Sequence, residues 1–516
     1  MRRLNACLPL LVLFCAVQIA LAQDLASFEK RVHVKTLPNG LTVLLLRRAE
    51  APVFSFYTVV DAGDAQDPTG KTGLAHMMEH MAFKGTTNIG TTNIAAEKAA
   101  LAKVEAAYAA YDRENHRTVN RDEKKIAALR DAWVKAREEA DRYVVKNEFG
   151  EIVERNGGVG LNASTSLDNT RYYYSLPANR LELWAYLESE RFLHPVLREF
   201  YKERDVVMEE RRMRTDSSPT GRLVEQFLSV AFDGSPYHRP GIGYASDLRH
   251  FSATDALNFF KTYYVPSNMI VAVVGDLDPE KTFAVLERYF GRIPSGPKPE
   301  EYVTAQHPQT SERRVVLQDP SQPFYLEGYQ VPNYRDKDDP VYELISSVMS
   351  EGRTSRLYRS LVRDQRIAIT AEGFAGFPGD KYRNLYAFYA VPAHGHGAAE
   401  VGSAIHTEIE KLKRDGVSED ELKMVKTRFK AELLRGLANN QGLASSLAQN
   451  QLRYGDWREM FRRIDKLDAV TNEDVKRVAK QVFVENNRTV GILETKPGMG
   501  MVMRGGPDTP AGETQQ

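Results

Sequence analysis

The chain has almost no cysteine: of its 516 residues only Cys7 and Cys15 carry a thiol, and both fall within the first 22. The rest therefore has no disulfide framework, no thiolate metal site and no cysteine nucleophile. No G-x-S-x-G elbow occurs either, so a serine nucleophile of that kind is excluded. Long apolar runs are missing too. The run Leu8 to Ile19 is too short for a comfortable membrane span, and no other stretch is long enough. Nor is there an excess of one charge, with 69 Lys+Arg against 69 Asp+Glu. That balance points to neither nucleic acid nor an anionic membrane as a partner.

Met1 to Ala22 has the form of a secretory signal peptide. Arg2 and Arg3 start it, Leu8 to Ile19 is its apolar run, and Ala20-Leu21-Ala22 is a small-residue cleavage site. The expectation is an exported protein, periplasmic or extracellular, with no integral membrane segment after cleavage. Without Arg2 and Arg3 the basic count falls to 67 against 69 acidic residues. The remaining length is too great for one core, so two or more domains are expected.

What the chain does carry is Gly73-Leu74-Ala75-His76-Met77-Met78-Glu79-His80-Met81. On a helix, residues four apart share a face. His76 and His80 can then address one Zn²⁺ through neutral nitrogens, at about 2.0–2.1 Å. Glu79 can reach a water on the same metal, while Leu74, Met77, Met78 and Met81 bury the rest of the helix. A single His on an apolar helix is more often a core residue than a ligand, and a zinc enzyme needs a third protein ligand and an open position.

In chain order, Val32 to Leu46 reads as a hairpin turning at Pro38-Asn39-Gly40, and Val53 to Val60 as a strand. Two Ala/Glu/Lys/Arg-rich helices follow, Ile94 to Tyr111 and Glu123 to Val145. Their narrow apolar seams are Leu101, Val104, Tyr108, Tyr111 and Ile126, Leu129, Trp133, Ala136, Ala140. They predict an antiparallel helical hairpin, read here as an insertion packed on itself rather than a docking arm or gate. Leu161 to Ser166 has the small and polar alternation of an edge strand, which can accept an extended peptide by strand addition. From Ile293 to Arg313 the composition shifts to Pro, Ser, Glu and Gln, and beyond it strands and helices recur in the same order. We therefore expect two α/β domains of one plan. Residues 23–292 form the first, with the hairpin inserted at about 94–148; a linker spans 293–313; the second spans 314–498; and a disordered tail covers 499–516.

The third ligand must be an acidic or imidazole group brought near by folding. The charged helix from Tyr201 offers Glu203 and Glu210, two turns apart on one face, whereas Glu209 points elsewhere. Spacing alone does not choose between them.

The H-x-x-E-H of His76 to His80 is the inverzincin pattern. It is followed by Phe83-Lys84-Gly85-Thr86, by Asn162-Ala163-Ser164-Thr165 and by Glu203-Arg204-Asp205-Val206-Val207-Met208-Glu209-Glu210. With Ser235-Pro236-Tyr237-His238 and Ser355-Arg356-Leu357-Tyr358, the chain resembles the M16 (pitrilysin/insulinase) zinc peptidases. The likeness is greatest to the two-domain bacterial branch similar to mitochondrial processing peptidase. The resemblance implies an α/β (α+β) fold of two homologous domains, each a mostly antiparallel sheet with helices packed on one face. It implies His76, His80 and Glu210 as zinc ligands and Glu79 as general base. Glu203 matches an acidic position behind the ligands, and Asn162 and Ala163 match the strand that holds the substrate backbone.

Two departures stand out. The interval from His80 to Glu210 is longer than the family's, and the helical hairpin accounts for the excess. In the family the second half carries an Arg and, seven residues later, a Tyr that grip substrate; here Arg363 is present and Thr370 takes the Tyr position. The expectation is a heterodimer with a chain of the same fold that lacks the zinc motif, a homodimer being the competing option. The activity implied is zinc-dependent endoproteolysis of peptides or unfolded segments through a metal-activated water. The alternative is a non-catalytic clamp or assembly subunit on the same scaffold.

Overall fold

Residues 25–301 and 303–496 are described by a computed structural model. The leader expected at 1–22 and the tail expected at 499–516 lie outside the described residues. In the first half, strands β1 (Val32–Thr36), β2 (Thr42–Arg47), β3 (Val53–Val60), β4 (Val159–Thr165), β5 (Thr170–Pro177) and β6 (Met269–Gly275) form one sheet, ordered β1-β2-β6-β3-β5-β4. The β1–β2 turn needs Gly40, whose φ of 96° lies in the left-handed region. In the second half, β7 (Arg313–Asp319), β8 (Phe324–Val331), β9 (Ala368–Phe377), β10 (Asn384–Pro392) and β11 (Arg488–Thr495) are ordered β7-β11-β8-β10-β9. Setting β1 aside, the two orders coincide strand for strand. Among the described residues each sheet has one parallel pair, β2 with β6 and β7 with β11, in the same place. The repeat legible as element order is a repeat of topology.

Seven helices matter to the site: α1 (Leu74–Met81), α2 (Ile94–Asn115), α3 (Glu123–Asp141), α4 (Phe200–Arg211), α5 (Pro219–Ala231), α6 (Ala245–His250) and α7 (Asn440–Tyr454). Each sheet carries its own helices on one face, as expected. Strand periodicity places Val43, Leu45, Phe54 and Phe56 there, packed with Trp184, Leu286 and Phe290. The opposite faces are covered as well, and by exchange. Leu44, Leu46, Tyr57, Val59 and Ala272 of the first sheet pack against Leu443, Ala444, Leu447 and Ala448 of α7. Reciprocally, Leu326, Leu385 and Ala387 of the second sheet pack against Phe227, Leu228 and Ala231 of α5. The Phe227 ring lies over two glycines, for a Cβ added at Gly328 or Gly491 would meet it at 3.1 Å. Buried on both faces, β6 is apolar throughout, as its sequence MIVAVVG indicates.

The inserted hairpin forms as α2 and α3, capped by the side chains of Asn93 and Asp122. Its expected packing on itself alone is corrected here. Val104, Tyr108, Trp133 and Ala140 belong to the main core of the first half. Tyr201 of α4 sits 4.4 Å from the Tyr108 ring and 5.2 Å from Trp133, centre to centre. The seam is aromatic-rich because it serves three helices rather than two. At the hairpin's base the buried Arg198 binds Glu97 at 2.8 and 3.2 Å. It also donates to the carbonyls of Lys84, Thr86 and Ile89, so no charge is left unpaired.

Because each sheet is closed by a helix of the other half, the halves should unfold together. Phe227→Ala is expected to cost about 3–5 kcal/mol and to lower one cooperative calorimetric transition. Two separate transitions, with only the second half's weakened, would contradict this reading of the exchange.

Candidate metal centre

α1 is only 8 residues long and cannot be stable by itself. Its neighbours fix it. Leu74, Ala75, Met77, Met78 and Met81 are buried in the core, as the sequence predicts. Gly73, at φ 97°, admits the chain to the helix, and a Cβ there would meet the Ile242 carbonyl at 2.8 Å. The buried Asp67 carboxylate accepts the N–H groups of Gly73 (2.6 Å) and Ala75 (2.9 Å), at the positive end of the helix. Burial nevertheless pushes Asp67 up to about 7. Asp64 is pushed up too, by burial first and then by the charges of Asp67 and Glu79.

α4 packs across α1 and carries two carboxylates to it. One donor atom each of His76, His80 and Glu210 lies within 4.8 Å of the others. Glu210 Oε2 stands 3.7 Å from His76 Nε2 and 3.6 Å from His80 Nε2. Its second oxygen is held by Arg214 at 2.7 Å. Glu203, one face-repeat earlier on α4, meets His80 Nδ1 at 3.3 Å and Lys84 Nζ at 2.5 Å. Lys84 also reaches Glu199 at 3.3 Å. Glu209 turns away, exposed and paired with Arg212.

These groups fit a cation. The separations of Glu210 from both imidazoles are too long for hydrogen bonds. They are close to the roughly 3.3–3.6 Å that separates tetrahedral donors bonded to one ion at about 2.0–2.2 Å. His76 is lowered to about 4, by burial and then by the neighbouring His80, so its ring is neutral at pH 7. For His80, burial works against the imidazolium, but the hydrogen bond and charge of Glu203 outweigh it, and the group is raised. The contact with Glu203 takes Nδ1 and leaves Nε2 toward Glu210. Glu79 is raised by burial, against hydrogen bonds from the hydroxyl and N–H of Thr165. Thr165 ends β4, which is an edge strand of the first sheet.

Two family profiles match the chain. "Insulinase (Peptidase family M16)" covers residues 42–125 and "Peptidase M16 inactive domain" covers residues 250–429, together about half of the sequence. The chain belongs to peptidase family M16. It is 28% identical over 493 residues to the "Zinc protease PqqE" of Helicobacter pylori, covering 93% of this chain and 96% of that one. It is 25% identical over 481 residues to the "Probable mitochondrial-processing peptidase subunit beta" of Arabidopsis thaliana, covering 89% and 78%. A crystal structure of a protease from Helicobacter pylori superposes with a TM-score of 0.75 at 27% identity, covering 90% of this chain and 99% of that one.

In this M16 chain the other sequence-derived positions lie as follows. Asn162 is exposed on β4 and Ala163 is buried; the Asn162 side-chain oxygen accepts the Ala163 N–H at 2.9 Å. Arg363 is exposed and paired with its neighbour Asp364 at 2.6 Å. Thr370 lies on β9, the second sheet's counterpart of β4. No role for Asp64, Asp67 or Arg214 was legible in the sequence, and Thr165 stood there only as a member of the Asn162 to Thr165 motif. Asp67 acts on α1 from six and eight residues away, outside any capping spacing. Thr165 meets Glu79 only through tertiary packing.

A cation bound at His80 must displace its proton. Zinc affinity of the metal-free protein should therefore climb with pH, through a range displaced upward from that of an ordinary histidine. Glu203→Gln removes the group that raises His80. The climb should move to lower pH, while affinity at the alkaline end falls about 10–100-fold. Competition titration with a chromogenic chelator measures both, and an unmoved profile would remove Glu203 from this role.

Proposed function

We propose that the protein is a zinc-dependent endopeptidase acting on peptides or unfolded polypeptide segments. The observation that carries this reading is the convergence of His76, His80 and Glu210 beside Glu79, which is itself hydrogen-bonded to the end of an open sheet edge. The names of the relatives agree with it, since the Helicobacter pylori protein is called a zinc protease. His76, His80 and Glu210 would hold the ion. Zn²⁺ in such a site acidifies a water and polarises a carbonyl as a Lewis acid.

The remaining work falls to the chain. Glu79, raised by burial, takes the proton of the attacking water and returns it to the departing amine. Thr165 fixes its carboxylate against β4. Glu203 orients the His80 ring, and the hydrogen bond with His80, followed by that with Lys84, holds the Glu203 carboxyl below its ordinary range. The substrate backbone adds to β4, for which the Ala163 N–H must exchange Asn162 for a peptide carbonyl. No covalent intermediate is required.

Two further parts belong to this proposal. The expected leader assigns the protein to an exported location. A partner chain of the same fold, lacking the zinc motif, supplies the substrate grip. The support is that Arg363 is neutralised by Asp364 and that Thr370 offers no phenol. The Arabidopsis thaliana relative is likewise called a subunit. Among the described residues no helix is long and apolar enough to cross a membrane.

Glu79→Gln should retain zinc and lose about 10²–10⁴-fold or more in cleavage of an unfolded polypeptide. Chelator should abolish activity in the parent chain and zinc should restore it. Undiminished turnover by Glu79→Gln would overturn the assignment. A non-catalytic clamp would instead show no cleavage in the parent, with or without a partner.

A further inference from the structure

A second group of metal-type donors lies at the free end of the inserted hairpin. Asp112 lies in the last turn of α2 and His116, four residues on, is the residue that caps its C-terminus. His250 ends α6, which belongs to the peptidase core. One donor atom from each of the three lies within 4.8 Å of the others. Asp112 Oδ1 is 3.2 Å from His116 Nδ1 and 3.6 Å from His250 Nδ1. The two imidazoles approach to 3.7 Å between centres, at 66°.

Two details distinguish this group from an ordinary surface cluster. The His250 Nδ1 atom is buried and has no hydrogen-bond partner, although the side chain as a whole is partly exposed. A polar atom in that position is costly unless something binds it. His116, meanwhile, donates through Nδ1 to the Asp112 carbonyl at 2.8 Å. That bond places the proton on Nδ1 and leaves Nε2 as the atom of His116 that can bind an ion, so the 3.2 Å approach of Asp112 Oδ1 to Nδ1 is not itself a ligand spacing. The backbone around the cluster is fixed. Tyr108 Oη shares its one proton between the carbonyls of Arg249 (3.2 Å) and His250 (3.1 Å), and Arg204 of α4 donates to Tyr108 at 2.7 Å. The side chains are 27–41% exposed, so an ion can enter from solvent.

We propose that Asp112, His116 and His250 form a second divalent transition-metal site, distinct from the His76 cluster, with Zn²⁺ as the ion taken. Two imidazoles and one carboxylate suit Zn²⁺ and exclude Ca²⁺ or Mg²⁺, which require oxygen donors. The site joins the hairpin's far end to the core. Through Tyr108 and Arg204 it braces α4, the helix that carries Glu203 and Glu210. Its role is that of a staple, and it stands independently of the proposed peptidase activity.

The test counts zinc in the purified full chain by dialysis against Zn²⁺ and elemental analysis. The parent should bind two equivalents, His116→Ala/His250→Ala one, and His76→Ala/His80→Ala one; the fourfold variant should bind none. A count unchanged between the parent and His116→Ala/His250→Ala would overturn the proposal, whatever the His76 cluster binds. Thermal unfolding gives a second readout. Added Zn²⁺ should raise the midpoint of His76→Ala/His80→Ala, and introducing His116→Ala should cancel that rise. If His76→Ala/His80→Ala does not fold, the comparison of the parent with His116→Ala/His250→Ala decides the matter alone.

Discussion

The site rests on one packing contact, that of the two-turn α1 against α4. Two imidazoles four residues apart on one helix must face two carboxylates seven apart on another. Both spacings are single-face repeats, so the four groups can meet only if the helices cross at that level and in that rotation. α1 is too short to choose its own orientation. Its apolar side, sealed by Leu74, Met77, Met78 and Met81, sets the rotation. Asp67 at its start, and Arg198 binding the loop after it, set the position along its axis.

The charges around this contact are arranged for a cation. Glu203, Glu210, Glu79, Asp64 and Asp67 converge on it, while Lys84 and Arg214 bind the outward oxygens of Glu203 and Glu210. Burial raises the carboxyls that lack a basic partner, and it keeps His76 unprotonated. The cluster thus offers lone pairs toward its centre and keeps its countercharges outside.

The exchange of α5 and α7 gives the scaffold its rigidity. A sheet with one bare apolar face must find a cover, and here each half supplies the equivalent helix to the other. The exchange also reaches the site. Arg211, next to Glu210, donates to the Gly243 carbonyl at 2.6 Å and to Glu225 of α5 at 3.2 Å. The helix that carries Glu210 is therefore braced against the helix that closes the second sheet.

Much of this was legible in the sequence by itself. The hairpins and strands followed from period-2 patterns and Gly40. The helical insertion followed from its seams, and the doubled plan from the recurrence of elements. The pairing of His76 with His80 followed from a four-residue spacing that any helix enforces. These are local properties, carried by neighbouring residues. The choice between Glu203 and Glu210 was not local: spacing left both open, and the crossing of α1 and α4 assigns Glu210 to face both imidazoles and Glu203 to the far side of His80. Likewise Asp67, Thr165, the core packing of the hairpin and the exchanged helices depend on contacts between residues far apart in the chain. Only the folded structure brings those residues together, because burial and charge act through space and leave no periodic trace in the sequence.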